Sequence, residues 1–388
     1  MKPPIGQGPA VADRHRILAS ELNVGQPMPW NVFDVDGVLL LRRGHVIESQ
    51  HALERLVEEG IYLNEQDSEE YLAGADAEAT RKPSALQYLT DARRLFGTVM
   101  GVADAQDFPA RIRRIAQLVD SACHASPAVS IAAVLLLQDE GYMVRHHVDT
   151  AVVADLMGRA MGLPEDKILT MACAALTMDL SMYEVQDKLN QVKGPLNDKL
   201  HALIAAHPEQ SEQRLRKLGV EDPLWLRCVA EHHERENGSG HPKGLGAAQI
   251  EPCAKIVGLA DRYCAEVSSR GYRAARAPRV ALKDIFAQQG TEVDPAVAAG
   301  LLRSVGLHPP GTVVRLHNGE TAVVVEATDS AETPIAFSLL GANGTALAVP
   351  AKRKTIREDF RIVDVLTIDK VDFPIQMSRL WGEAAKLG

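Results

Sequence analysis

The chain has 388 residues, with 42 Lys and Arg against 51 Asp and Glu, and with 46% apolar and 24% charged residues. That length suits two or three domains with ample core, and these fractions exclude wholesale disorder. The net charge of −9 and the 4% of aromatic residues exclude a protein that coats DNA or RNA non-specifically, because phosphate neutralisation needs excess Lys and Arg and base stacking needs aromatic platforms.

In chain order, residues 1–9 lack an apolar h-region, so no signal peptide is expected. Residues 1–75 read as a small α+β unit. The Asp36-Gly37 and Arg43-Gly44 turn signals around Val38–Leu41 predict a hairpin. Ser49 as N-cap and Gly60 past the end predict a helix between them. From Glu58 to Glu78 there are eight acidic residues and no basic one, which reads as an exposed acidic linker. Residues 76–125 show helical periodicity at Leu86, Leu89, Leu95, Phe96, Ile112, Ile115, Leu118 and Val119 and are expected to form a helical linker.

Residues 126–306 read as a succession of helices broken near Gly162, Gly194, Gly219 and Asn237, without the β/α alternation of a doubly wound nucleotide fold. The longest apolar run, Ala128–Leu137, is about half a membrane span and is interrupted by Ser130, so no span is expected. Residues 307–388 change character. Two β-rich runs flank Asn318-Gly319, and short strands are expected over Thr333–Leu340 and Thr345–Val349. The predicted class is mainly α, a helical core flanked by a small N-terminal α+β unit and a small C-terminal β-rich module. Five cysteines without a CxxC pair read as reduced thiols in a cytoplasmic protein.

Histidine is distributed unevenly. Seven of the 13 lie between His146 and His241, a span of 96 residues. With the interspersed carboxylates, the candidate metal donors in chain order are His146, His147, Asp179, His207, His232, His233 and Asp261. Imidazole and carboxylate suit Fe, Mn, Zn or Ni, and a carboxylate can bridge two ions. Asp179 follows the apolar run Met171–Met178, where a buried carboxylate needs a partner.

From Gln138 to Gly306 the chain resembles the HD-GYP family, helical metal-dependent phosphodiesterases of bacteria that hydrolyse cyclic-di-GMP. The likeness is carried by Tyr142-Met-Val-Arg-His-His-Val-Asp, Ala174-Ala-Leu-Thr-Met-Asp-Leu-Ser-Met and Ala206-His-Pro-Glu-Gln-Ser. It continues through His232-His-Glu-Arg-Glu-Asn-Gly-Ser-Gly-His-Pro-Lys-Gly-Leu and Ala254-Lys-Ile-Val-Gly-Leu-Ala-Asp-Arg-Tyr. The resemblance implies that residues 126–306 are an HD-GYP-like domain with metal ligands at His146, Asp179, His207, His232, His233 and Asp261. It implies a bridging, catalytic role for Asp179, and dinucleotide binding by Arg270, Arg273 and His241.

Both signature motifs are degenerate. The histidine of the His-Asp pair is Met178, the Gly and Lys that follow are Ser181 and Met182, the Tyr of Gly-Tyr-Pro is His241, and a second Asp after Asp261 is Cys264. One metal position then keeps three of four family ligands, the other all four, so one divalent ion is expected rather than two. A thioether is a poor ligand for a borderline cation. His147 stands where the family is usually small, but adjacent helical residues point about 100° apart, so the sequence alone does not make it a substitute. Arg270, Arg273, Arg276 and Arg279 recur every three residues and suit phosphate contact. The expectation is a bacterial signalling protein that binds metal and cyclic-di-GMP with weak or no hydrolysis, and acts through protein partners or self-association. Its alternatives are an active cyclic-di-GMP phosphodiesterase yielding pGpG or GMP, and a metal-free interaction adaptor.

Overall fold

A computed structural model describes residues 82–101, 107–138, 141–183, 198–269, 275–328, 330–368, 371 and 373–387, with scattered positions between 25 and 63. The chain divides into two compact units, residues 1–82 and 83–388. In the first, strands β1 (Val32–Phe33) and β2 (Leu39–Leu41) pair antiparallel. The Asp34 carboxylate closes their turn by accepting from the Val38 amide at 2.8 Å. Met28, Val32, Ile47 and Leu63 form a small buried cluster beside them. The helix expected after Ser49 and the acidic stretch up to Glu78 lie largely outside the described residues.

Among the described residues the second unit carries ten helices, then a sheet and a short closing helix. The helices are α1 (Ala85–Met100), α2 (Phe108–Ala125), α3 (Pro127–Leu136), α4 (Tyr142–Ala160) and α5 (Glu165–Thr177). They continue as α6 (Asp198–Lys217), α7 (Pro223–Glu231), α8 (Pro252–Val267), α9 (Pro278–Ala287) and α10 (Pro295–Val305). Local chemistry explains several starts. Proline opens α3, α7, α8, α9 and α10, where its fixed φ suits the first turn and its missing N–H costs nothing. Ser126, Asp222 and Asp294 stand just before three of these prolines and accept from first-turn amides. Helices α1 and α2 share one apolar core with α3–α10, so residues 83–125 pack as part of the helical body.

Helix α4 runs through the centre of that core. Its Arg145, Asp149 and Asp155 are buried too, and each charge must be paired there. Asp149 receives Arg93 at 2.7 Å, and Asp155 receives Arg159 at 2.7 Å. Arg145 donates to the carbonyls of Gln138 and Ser269 at 2.7 and 3.1 Å, pinning the end of α8 to the start of α4. Gly258 of α8 lies against the turn after α7, because a Cβ there would fall 2.0 Å from the His232 carbonyl oxygen. Among the described residues no single helix is long and apolar enough to cross a membrane.

The tail forms an antiparallel sheet in the order β6-β5-β4-β3-β7, with β3 (Val313–Leu316), β4 (Thr321–Glu326), β5 (Ile335–Leu340), β6 (Ala346–Lys354) and β7 (Ile362–Leu366). The Asn318-Gly319 hairpin joins β3 to β4, with Gly319 at φ +86°. Alternation sorts the two faces. Val314, Leu316, Ala322 and Val324 bury against Phe360, Ile362 and Val365. Val313, Val323 and Val325 bury against Leu136 of α3 and Leu380 of α11 (Met377–Trp381). Strand β7 and α11 go beyond the strands expected from sequence.

Candidate metal centre

Asp179 stands in the turn that follows α5, and that turn is tied to α6. The Ser181 amide donates to Ser211 Oγ at 3.0 Å, Ser181 Oγ donates to the His207 carbonyl at 3.1 Å, and Arg214 donates to the Leu180 carbonyl at 3.2 Å. Ser211 and Arg214 lie four and seven residues after His207, one helical face. Their spacing is readable from sequence, but only as a face of α6. Its target, the Asp179 turn, is set by tertiary packing.

Histidines approach Asp179 from three directions. His207 Nε2 is 2.9 Å from Asp179 Oδ1, and His232 Nε2 is 3.9 Å from the same oxygen. His147 Nε2 is 3.6 Å from the other oxygen, Oδ2. In each of the three rings Nδ1 faces a carbonyl of its own helix: Ile204 at 2.6 Å for His207, Val229 at 2.7 Å for His232 and Met143 at 2.7 Å for His147. A nitrogen facing a carbonyl carries the hydrogen, so Nδ1–H donates and Nε2 is turned to the carboxylate. Two of these acceptors have an evident origin. Pro208 sits inside α6 and has no N–H for the carbonyl four residues back, leaving that of Ile204 open to His207. Val229 carries one of the last carbonyls of α7, which lack helical donors.

His233, next to His232, completes the group. One ligand atom from each of Asp179, His207, His232 and His233 lies within 4.8 Å of every other. Three imidazoles and a carboxylate at that spacing match the donor types and reach of a divalent transition-metal site, whose bonds are about 2.0–2.2 Å. Hydrogen bonding of Nδ1 with Nε2 free is also the usual way a metal-ligating imidazole is oriented. The donor set fits a cation.

Asp261 of α8 anchors a second region. His146 Nε2 lies 2.8 Å from its Oδ1, and His233 Nδ1 lies 3.9 Å from its Oδ2. The His146 ring stacks on Tyr142 with centroids 5.1 Å apart, and its buried Nδ1 has no hydrogen-bond partner among the described residues. Met178 is fully buried in the apolar core. His147 is also buried, and its ring packs 5.5 Å from that of Phe96.

The electrostatics follow from burial and crowding. Burial opposes charge on Asp179, yet its hydrogen bond to His207 and the nearby imidazoles hold the carboxyl well below the usual range. The same hydrogen bond outweighs burial at His207 and raises its pKa. Burial, then the neighbouring histidines, pushes His232 well down and His233 down to about 3. Burial also lowers His147. The lowered values favour neutral imidazoles at His147, His232 and His233 beside an ionised Asp179, the protonation states a metal ion requires, while His207 is held toward its charged form by Asp179.

The remaining candidates divide. The His241 ring lies 4.7 Å from His233 and 6.2 Å from His207, with Nδ1 3.2 Å from the Ala205 carbonyl. The turn that carries it is held by Glu234, which accepts from the amides of Lys243 and Leu245 at 2.7 and 2.8 Å. Arg270 and Arg273 lie outside the described residues. Arg276 is engaged by Glu266 and Asp284, and so is not a free phosphate donor. Of the clustered histidines, His201 is exposed.

A helical domain that gathers histidines around aspartate on adjoining turns is an HD-type domain, and residues 130–297 match the HD domain family model. Cyclic di-GMP phosphodiesterase PA4108 of Pseudomonas aeruginosa is 28% identical over 229 residues, 56% of this chain and 55% of that protein. The response regulator RpfG of Xanthomonas campestris, a cyclic di-GMP phosphodiesterase, is 32% identical over 156 residues, 39% of this chain and 40% of that protein. A 3′3′-cGAMP-specific phosphodiesterase of Vibrio cholerae is 29% identical over 168 residues, 43% of this chain and 36% of that protein. A solved structure, Bd1817, a HDG"Y"P protein from Bdellovibrio bacteriovorus, is 19% identical over 74% of this chain and 98% of that one, with a TM-score of 0.47. The chain spans about half or less of the length of these curated relatives. Residues 130–297 form an HD domain, and the named relatives support an HD-GYP assignment for that region.

Proposed function

We propose that this is a metal-dependent cyclic-dinucleotide protein of bacterial signalling that holds one divalent transition ion tightly among Asp179, His207, His232 and His233. The observation that carries the reading is the convergence of these four ligand atoms within 4.8 Å. The ligand class is taken from the relatives, named as phosphodiesterases of cyclic di-GMP or 3′3′-cGAMP. A cation here supplies Lewis acidity toward a phosphodiester. The chain's own residues orient: Asp179 presents one oxygen to each side, His241 flanks the cluster, and Arg270 and Arg273 are the proposed phosphate contacts. Loss of histidine at Met178 weakens hydrolysis in this reading. The second reading, an efficient phosphodiesterase, is favoured by one distance, His147 Nε2 to Asp179 Oδ2 at 3.6 Å.

Metal analysis of protein purified without chelator, with calorimetric titration of cyclic-di-GMP, tests the proposal. At least one ion per chain should survive dialysis. His207→Ala should weaken its binding by about 100-fold or more, since even outer-sphere changes cost about 10–100-fold. A chain that retains no metal and gives no heat with cyclic-di-GMP sinks the reading and leaves the interaction adaptor.

A further inference from the structure

We infer that Ser181 and Ser211 are positioning residues of the metal centre, their joined hydroxyls fixing the Asp179 turn against the helical turn that carries His207. The inference rests on the metal-binding reading above and assigns to two serines of this chain the alignment of two of its ligands.

Asp179 lies past the end of α5, so no helix fixes its direction. The Met182 amide donates to the Asp179 carbonyl at 2.8 Å and closes a turn with Ser181 at its third position. Met178 and Met182 are buried on either side of Asp179, but apolar contact is non-directional. Direction comes from the two hydroxyls. Ser211 is fully buried, and its Oγ accepts from the Ser181 amide at 3.0 Å. Ser181 Oγ gives its one hydrogen to the His207 carbonyl at 3.1 Å, so the Ser211 hydroxyl, 3.0 Å away, donates to Ser181 Oγ. Every hydrogen in this group has an acceptor. The group joins residue 181 to both ends of the single turn of α6 that runs from His207 to Ser211.

The same two segments present Asp179 Oδ1 and His207 Nε2, 2.9 Å apart. The imidazole is already held from its far side by the Ile204 carbonyl at 2.6 Å, so the remaining freedom between these ligands lies in the Asp179 turn. Metal–ligand distances tolerate only about 0.2 Å of error, and groups that orient ligands count in affinity for that reason. Ser181 stands where the HD-GYP pattern carries glycine. A glycine there could still offer its amide to Ser211, but it could neither donate to the His207 carbonyl nor accept from the Ser211 hydroxyl.

Co(II) binding to chelator-stripped full-length protein, read by competition with a chromophoric chelator and by the visible absorption of the bound ion, tests the assignment without turnover. Ser181→Ala should bind Co(II) about 10–100-fold more weakly than wild type, with a changed absorption band. Ser181→Thr keeps the hydroxyl at a half-buried position and should retain both wild-type values. Ser211→Ala also removes the acceptor of the Ser181 amide and should lose at least as much affinity as Ser181→Ala. The urea midpoint of the metal-free proteins separates positioning from plain stability. A lower midpoint in Ser181→Ala with wild-type affinity and absorption makes the hydroxyls merely structural and overturns the inference, while the four-ligand site stands. Equal loss of affinity in Ser181→Ala and Ser181→Thr overturns it as well. A wild type that takes up no Co(II) overturns both readings. Should Ser211→Ala fail to fold, the two variants at Ser181 decide.

Discussion

Gly258 shows how little room the candidate metal centre leaves. A methyl group there would sit 2.0 Å from the His232 carbonyl oxygen, a backbone atom that cannot rotate away. Gly258→Ala should therefore part α8 from the turn after α7, costing about 2–3 kcal/mol as overpacking does. It should also loosen metal retention, because His232 and His233 occupy that turn. Unchanged urea midpoint and metal content would count against this close approach. At the same scale, the donor types were legible in sequence. His207, His232 and His233 stand beside apolar helical stretches, and Asp179 follows Met171–Met178. The direction of His147 was not legible, because it depends on how the Asp179 turn packs against α4 and α6. Arg276 is a similar case: its acidic partners, Glu266 and Asp284, lie ten and eight residues away, outside any local charge count.

Helix α7 delivers His232 and His233, and its start is secured by Asp222. That carboxylate accepts from the Leu224 and Trp225 amides at 3.0 and 3.3 Å and pairs with Arg113 at 2.9 Å. Partial burial opposes its charge, but these bonds win and lower its pKa. A depressed folded pKa means stability that is present in full above the unfolded value of about 4 and lost as pH falls through the folded one. Asp222→Ala should cost about 1–2 kcal/mol near neutrality. Asp222→Asn keeps an acceptor for the cap, so it should mainly flatten the fall in urea midpoint between about pH 5 and pH 3. An identical acid profile in wild type and Asp222→Asn would refute the assignment. The starts of α3, α7 and α10 are legible as Ser126-Pro127, Asp222-Pro223 and Asp294-Pro295, and the β3–β4 hairpin as Asn318-Gly319. Strand β7 is not legible in that way. Its pairing with β3, Val313 opposite Leu366, spans more than fifty residues and leaves no turn signal.

For the molecule as a whole, residues 83–388 form one compact unit with a continuous helical core and an attached sheet. Gly311, at φ +92°, is where that sheet meets α3. A Cβ there would lie 2.8 Å from Ala132 Cα, so helix and sheet touch backbone to backbone. A chain starting at Pro83 should unfold in a single cooperative transition and bind as many metal ions as the full-length protein. Loss of metal or of cooperativity on removing residues 1–82 would show that the first unit completes the second. The mainly helical class was readable from periodicity. The membership of α1 and α2 in the common core was not, because amphipathic periodicity marks an apolar face without naming what covers it.

The bonds that tie His147, His207 and His232 to their own helices have a thermodynamic consequence. A free imidazole loses rotamer freedom when it is captured by an ion, and that loss is subtracted from affinity. Here the His207 and His232 rings lose it when the helices form, so the entropy is charged to folding and a cation at the proposed site would meet donors already aimed. Pro208, ordinarily a defect in a helix, supplies one of those bonds by leaving the Ile204 carbonyl open. The centre thus trades a little helix stability for donors that need no further ordering.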